Sequence, residues 1–594
     1  MEQNSYPNDE QKCIIEAVIN STEQTILVNA CPGSGKTTLL VDIFQKCIKN
    51  WSASGGIACL SFTNVAQEKI KKDYGNVLPN NHFVGTFDSF IYTYIVKPYG
   101  HLLGYFATDK LYIVENKSFN QFLPKNEVYC ATVEQRGEKR NIHKPVLDLE
   151  FIGENTDYPI VSYDKGKFIN EWTWKNQVKA AKESCWKKGL VNYTDLKYLA
   201  LQLLRHPIFG SHILEVLNYK FPYIFVDEIQ DTGYFLEEIL LLLMKNSKKN
   251  FLIGDSDQAI YSFAGAEARI FTALKEQGTT EYSLTNNFRS SSNITELISE
   301  FSSKGKTITS NKKYLGNNIL IVHNYSKQPD DELKKNIKEL TGNKNSFAIL
   351  ARRNSICNKF KDIKASVSPV KSNLARQLSF ILHDYFNNDK TKAFKNFEKC
   401  ISNLLFQTNL DYELQELLIK HNISKSTWKK DLYLLIMDIY RTEENETWNE
   451  WINRVNNSLV EMSKKYGLVH AGFNKKLAKD NKKGNSVRNL HLKQEDSWCE
   501  NVTRIDSIHG VKGEEFDSCF IYCEKPSNKE YEKCPSETWW DNAEEQRIIF
   551  VALSRAKKDL ILCIHKDTYE NINNDSNKKN IFNYFESPIF LCEK

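Results

Sequence analysis

The chain has 594 residues, too many for one hydrophobic core, so about three to five domains or sub-domains are expected. Hydrophobic residues at 41% and charged residues at 26% are ordinary for a folded chain, so disorder is not the default, and the longest apolar run, 239–244, falls far short of the ~20 residues of a membrane span. The formal charge of +5, from 79 basic and 74 acidic residues, permits nucleic-acid binding without requiring it.

Met1-Glu2-Gln3-Asn4 reads as neither a signal peptide nor an amphipathic presequence, and the expectation is a cytoplasmic protein with no membrane partner. The 14 cysteines form no CxxC pair and read as reduced thiols. Cys519, Cys523 and Cys534 offer three sulfurs to a metal, but Cys519-Phe520-Ile521-Tyr522-Cys523 also reads as a buried strand with both cysteines on one face.

In chain order, Asn8 or Asp9 caps a first helix carrying Cys13, Ile14, Ala17 and Val18. Gln11, one turn in, has an amide that can read a purine edge. An apolar strand, Ile26-Leu27-Val28, then runs into Asn29-Ala30-Cys31-Pro32-Gly33-Ser34-Gly35-Lys36-Thr37-Thr38 and an amphipathic helix. This is a P-loop: small residues let backbone N–H groups surround a phosphate, Lys36 reaches the outer phosphates, and the Thr37 hydroxyl can ligate magnesium. Ala30 stands where the strict pattern has Gly. ATP and Mg²⁺ are the cofactors this implies.

A second strand, Ile57-Ala58-Cys59-Leu60-Ser61, ends in Phe62-Thr63-Asn64, and a third turn reads Gly85-Thr86-Phe87-Asp88-Ser89. Hydroxyls and amides beside Phe62 and Phe87 suit phosphate contacts and base stacking on a single strand, although either turn also reads as core and cap. From about 94 to 189 the periodicity weakens, as in an insertion between strands. Within it 172–186, with Lys175, Lys179 and Lys182, reads equally as a basic helix along nucleic acid or as a solvated amphipathic helix.

Tyr223-Ile224-Phe225-Val226 is an apolar strand ending in Asp227-Glu228. Asp227 suits magnesium and Glu228 the orientation or deprotonation of an attacking water, with Gln230-Asp231-Thr232 extending the site. Phe251-Leu252-Ile253 repeats the scheme: Gln258 is placed to sense a terminal phosphate, and Tyr261 and Phe263 to stack bases.

These blocks, in this order, resemble the superfamily 1 helicases of the UvrD/Rep/PcrA type. Asn287-Phe288-Arg289-Ser290, Ala348-Ile349-Leu350-Ala351-Arg352, Ser507-Ile508-His509-Gly510-Val511-Lys512-Gly513-Glu514-Glu515-Phe516 and Val551-Ala552-Leu553-Ser554-Arg555-Ala556 resemble the later motifs. The resemblance implies an α/β fold of two RecA-like P-loop NTPase domains, each carrying an inserted, mainly helical sub-domain. The first motor domain would take 1–95 and 190–275 with 96–189 inserted, and the second 276–370 and 495–594 with a reduced helical insertion at 371–494. Helices are expected near 378–386, 397–406, 412–419 and 428–439.

By the same resemblance Arg289 and Arg555 reach the γ-phosphate across the cleft, Glu515 lies near the ribose, Phe288 lies against adenine, and His509 contacts nucleic acid. Phe288 stands for the usual Tyr, Phe263 for Trp, Ser554 for Thr, and Cys31-Pro32 for smaller residues; none removes a charged group. The lysine-rich stretch around 464–493 reads as a phosphate-binding block or a solvated linker.

The activity implied is a DNA-dependent ATPase and 3′ to 5′ helicase or translocase acting on single-stranded DNA and duplex junctions. The small insertion is also similar to helicase-like subunits of Gabija-type anti-phage systems, which raises the alternative of a DNA- or nucleotide-sensing ATPase subunit that regulates a partner nuclease. RNA as substrate is the remaining alternative, with no RNA-binding appendage in view.

Overall fold

In the computed structural model the described residues are 6–61, 81–106, 111–113, 128–135, 138–146, 149–155, 158–164, 167–260, 269–302, 307–311, 316–324, 333, 336–337, 339, 346–360, 378, 381–382, 385–386, 390–406, 414, 417–418, 421–440, 448–468, 502–524, 543–575 and 578–591. Asp9–Asn20 (α1) opens on a capping box, in which Asn8 and Gln11 satisfy each other's backbone N–H groups. Thr25–Ala30 (β1) follows, then the P-loop and Lys36–Lys49 (α2).

β1 is buried on both faces, as a central parallel strand requires. It belongs to a six-stranded, wholly parallel sheet with Ile57–Ser61 (β2), Phe83–Thr86 (β3), Tyr223–Val226 (β4), Lys249–Gly254 (β5) and Glu281–Leu284 (β6), in the order β6-β1-β5-β4-β2-β3. The two-residue period of the strands divides the core. Ile26, Val28, Phe251 and Ile253 pack under α1 and α2, while Leu27, Leu252 and Val226 face the other way, onto Leu199, Leu203, Leu236 and Leu240. Because every strand is parallel, the turns after β1, β4 and β5 emerge on one edge.

A second six-stranded parallel sheet is built from Asn317–His323 (β7), Phe347–Ala351 (β8), Arg504–Ser507 (β9), Phe516–Tyr522 (β10), Ala556–His565 (β11) and Ile589–Leu591 (β12), in the order β9-β8-β10-β11-β7-β12. Helix Ala543–Leu553 (α3) runs straight into β11 and buries Ile548 to Leu553 against one face. Cys519 in β10 and Cys523, just past its end, join that same apolar cluster, as the buried reading expects; Cys534 lies outside the described residues. No group of three metal-ligating side chains occurs among the described residues.

The segment 96–189 has more strand than helical positions among its described residues, which corrects the expectation of a mainly helical insertion. It carries an antiparallel hairpin, Val128–Gln135 with Glu138–Pro145, and a three-stranded antiparallel sheet of Glu150–Glu154, Pro159–Asp164 and Lys167–Ile169. Phe151 and Gly153 are buried while Glu150, Ile152 and Glu154 between and beside them are less so, a period of two that a search for helical spacing passes over. Phe151, Val161, Ile169, Trp174 and Trp186 join one apolar cluster with the first sheet. Lys182 is fully buried on Asp195, so the helix containing it does not present that cation to a ligand.

Between β8 and β9 the helices Lys390–Phe406, Lys425–Tyr440 and Trp448–Lys465 share a separate cluster centred on Phe397, Ile401, Trp428, Ile436, Trp451 and Leu459. The expected helices near 378–386 and 412–419 are described only at scattered positions, and 469–500, most of the lysine-rich stretch, lies outside the described residues. Among the described residues no helix is long and apolar enough to cross a membrane.

Candidate active site at the interface of the two lobes

The P-loop turn depends on two glycines with left-handed backbone, Gly33 at φ +69° and Gly35 at φ +83°, where a Cβ is disfavoured. Ser34 tightens the turn by donating from Oγ to the Cys31 carbonyl at 2.8 Å. Lys36 and Thr37 then open α2, whose first-turn N–H groups lack helical partners and can take an anion. Thr38 is exposed, whereas Ala30, Cys31 and Pro32 are buried. Cys31 belongs to the apolar cluster of the second sheet, with Ile294 and Leu553, so this thiol fills space between the lobes where a glycine would leave a void.

Thr37 Oγ1 donates to Asp227 Oδ2 at 3.4 Å. Asp227 is 1% exposed, and burial together with the adjacent Glu228 pushes its carboxyl up to about 7 despite Lys36. Burial also pushes Glu228 upward, but Lys36, Gln230 and Lys512 outweigh it and hold that carboxyl below its ordinary value. Glu228 has a left-handed backbone, φ 52°, a strained conformation for a residue with a Cβ. Gln230 stabilises the arrangement: its Nε2 donates to Glu228 at 2.6 Å while its Oε1 accepts from the Asp255 N–H at 2.9 Å, tying the turn after β4 to the turn after β5. Gln258 Nε2 donates to Asp255 Oδ2 at 2.7 Å.

The second lobe closes onto these turns. Phe288 N–H donates to the Gly33 carbonyl at 2.9 Å, and a Cβ on Gly33 would lie 2.6 Å from the Arg289 Cβ. Arg289 Nε pairs with Glu515 at 2.7 Å, and Glu515 also takes Lys557 at 2.6 Å. Arg555, 2% exposed, donates to Val551 O, Glu514 O, Ser554 Oγ and, across the interface, Gln258 Oε1 at 3.1 Å. Burial and the neighbouring Arg289 lower its pKa to about 10, so it remains a cation at neutral pH. Lys512 reaches the first lobe as well, pairing with Asp231 and donating to the Gln258 carbonyl at 2.7 Å.

The structure therefore brings Lys36, Thr37, Asp227, Glu228, Gln258, Arg289, Arg555 and Glu515 to one interface. Gln11 is there too, but both ends of its amide are engaged, Oε1 by Asn8 N–H at 3.0 Å and Nε2 on the Ser34 carbonyl at 3.2 Å. Purine reading would have to exchange one of these bonds.

The nucleic-acid candidates fare differently. Phe87 is a correction: at 4% exposure it packs with Phe90 and Leu60, because it opens a helix capped by Thr86 and points back into the core. His509 donates from Nε2 to the Ile260 carbonyl at 3.1 Å, which puts it on the lobe interface. Phe62, Thr63, Asn64, Tyr261 and Phe263 lie outside the described residues. Gln230 and Asp231 extend the site as the sequence suggests, whereas the role of Lys512 is visible only in the structure; it is the one lysine or arginine in its block, 507–516, and that was the available signal.

Two parallel sheets, a P-loop on one and arginines from the other meeting it, define a two-lobed P-loop NTPase of RecA type. The UvrD/REP helicase N-terminal domain matches residues 8–279 and the UvrD-like helicase C-terminal domain matches 363–567. The chain belongs to the UvrD/Rep helicases of superfamily 1, a family of DNA-dependent ATPases. It is 28% identical over 305 residues to the Gabija protein GajB of Bacillus cereus, half of each chain. It is 24% identical over 668 aligned positions to a probable DNA helicase II homolog of Mycoplasma genitalium, covering 98% of this chain and 88% of that one. With DNA helicase II of Escherichia coli it shares 27% identity over 297 residues, 48% of this chain and 39% of the relative.

Proposed function

We propose that the protein hydrolyses ATP between its two lobes and uses the resulting closure and opening to move 3′ to 5′ along single-stranded DNA, unwinding duplex junctions. The observation that carries this reading is the Arg555 to Gln258 hydrogen bond, a second-lobe guanidinium seated on a first-lobe group that faces the nucleotide turns. An arginine delivered by closure is worth ~10³ to 10⁵ in rate and ties lobe movement to nucleotide state.

In this reading Lys36 and the P-loop N–H groups hold the phosphates, Phe288 and Gln11 the base, and Glu515 the ribose. Glu228, ionised at neutral pH, orients and deprotonates the water, while Gln258, Arg289 and Arg555 gather on the terminal phosphate. Thr37 and Asp227, a hydroxyl and a carboxylate in contact, offer the hard oxygen ligands that suit Mg²⁺, which when bound neutralises charge on the outer phosphates. Phe62, Tyr261 and Phe263 would carry the bases of the strand, with Thr63, Asn64, Thr86 and His509 beside them. The segments 96–189 and 371–494 are read as inserted sub-domains of two motor halves in a cytoplasmic protein; the expected boundary at 275/276 moves past β6, which pairs with β1, so the first half takes 1–95 with 190–284 and the second 285–370 with 495–594.

Hydrolysis measured with and without single-stranded DNA, together with strand displacement on 3′- and 5′-tailed duplexes, tests the reading. Stimulated hydrolysis and unwinding of the 3′-tailed duplex alone are expected, with both lost in Lys36→Ala. Turnover unchanged in that variant refutes it.

The similarity to GajB supports a second reading, a sensing ATPase that controls a partner nuclease in anti-phage defence. Strong unwinding by the isolated chain, and no nuclease in the native complex, would count against it.

A further inference from the structure

Lys512 follows a short 3-10 turn, Ile508–Val511, and precedes Gly513, whose φ of +89° turns the backbone away so that the side chain crosses the interface alone. Its ammonium meets the Asp231 carboxylate and, at 2.7 Å, the Gln258 carbonyl. The Lys512 and Asp231 side chains are only 8% and 9% exposed, so solvent and salt screen the pair weakly. Asp231 is held by burial near the top of the carboxylate range, at about 6, with Lys512 opposing that rise.

Gln258 is thus gripped twice from the second lobe. Arg555 holds the side-chain oxygen by one bond, whereas Lys512 holds the main-chain oxygen while its ammonium is also paired with the buried Asp231 carboxylate, so it is fixed on the first lobe at two points. We propose that Lys512 is the fixed post of lobe closure. It sets the second lobe against the turn after β5 through contacts of its own, so that Arg289 and Arg555 need only rearrange side chains when the terminal phosphate arrives. Lys512 touches no reacting atom in this role; it is a positioning residue. The inference rests on the motor reading only for its effect on turnover, because the post itself is a contact among Lys512, Asp231 and the Gln258 carbonyl.

The test uses the full chain with spectroscopic labels, attached by non-cysteine chemistry, at the exposed residues Asn50 and Glu570, one on each lobe. Lys512→Met, Lys512→Arg, Asp231→Asn and the double variant Lys512→Met/Asp231→Asn are compared with wild type. In nucleotide-free Lys512→Met the interlobe distance distribution should broaden and lengthen. Its kcat should fall at least about tenfold while the KM for ATP moves less than about threefold, and Lys512→Arg should recover part of kcat. The double variant removes the stranded carboxylate, so its thermal midpoint should return toward wild type while kcat stays low. An unchanged distance distribution in Lys512→Met, or recovery of kcat together with the midpoint in the double variant, overturns the proposal and leaves Lys512 as a structural charge. Broadened distances in the variant combined with wild-type hydrolysis that ignores single-stranded DNA uphold the post and sink the motor reading instead.

Discussion

Arg555 donates from Nη2 to Oε1 of Gln258 at 3.1 Å, a hydrogen bond between residues 297 positions apart and on opposite lobes. Three further donor groups of the same guanidinium end on its own lobe, at Val551 O, Glu514 O and Ser554 Oγ, so the side chain is aimed rather than loosely placed. Gln258 in turn is oriented by Asp255, and Asp255 by Gln230. The chain of contacts runs from the second-lobe arginine to Glu228, and it gives the interface one connected response to whatever enters it.

Arg555→Lys tests the aim of this residue. An ammonium keeps the charge but cannot reproduce the fork that reaches four acceptors. The expected outcome is a fall in kcat of about 10³-fold or more, measured by steady-state hydrolysis, with the fold retained by circular dichroism. Retention of wild-type kcat would show that the cross-lobe contact has no part in hydrolysis.

Gly33→Ala tests the approach of the lobes at a single methyl. The new Cβ would lie 2.6 Å from the Arg289 Cβ and 3.0 Å from Asn287 Oδ1, on a backbone that already disfavours side chains. Neither neighbour is the free end of a flexible chain, so the turn 287–289 must retreat. Hydrolysis should fall by at least about tenfold, with each lobe still folded and thermal stability lower by ~1–3 kcal/mol.

Most of the candidate ATP site was legible because the groups that form it are local in sequence. A glycine-rich turn after an apolar strand, and a carboxylate pair ending another, declare themselves within ten residues. The parallel sheets followed from the runs Ile26 to Val28 and Tyr223 to Val226, each too apolar for a strand with a wet face. What stayed hidden was non-local. Phe87 reads equally as a stacking ring or as core until Thr86 is seen to cap the helix that buries it. Lys512 is one lysine among many until Asp231 is opposite, and helix Trp448–Lys465 was passed over although Trp451, Val455, Leu459 and Met462 keep helical spacing.

Lys182 distinguishes packing from ligand binding in the segment 96–189. Its ammonium, with no exposed side-chain surface, donates to Asp195 Oδ1 and to the Leu149 carbonyl, both at 2.7 Å. Asp195 also caps its own helix through Asn192. Lys182→Ala strands a buried carboxylate and should cost ~3–5 kcal/mol in denaturant unfolding, while Lys182→Met with Asp195→Asn should cost less. Affinity for single-stranded DNA, measured at temperatures where the variants remain folded, should stay at the wild-type value.

His509 gives the interface a pH dependence of definite sign. Burial, the nearby Arg352 and Lys512 lower its pKa to about 4, against which the Ile260 carbonyl and Glu544 pull upward. The folded chain therefore holds His509 neutral where the unfolded chain, at the ordinary value near 6.5, begins to bind a proton. The unfolded state binds more protons between about 6.5 and 4, so this residue's stabilisation is full above that window and is lost as pH falls through it. After a discount for partial exposure the loss is ~1–2 kcal/mol. His509→Asn keeps an N–H donor for Ile260 without the titration, so its urea midpoint should change less between pH 7.5 and pH 5 than that of wild type. Equal slopes for the two proteins would remove His509 as the source. A steeper slope in the variant would mean that the imidazole is charged at the interface, opposite to the environment that Arg352 and Lys512 create.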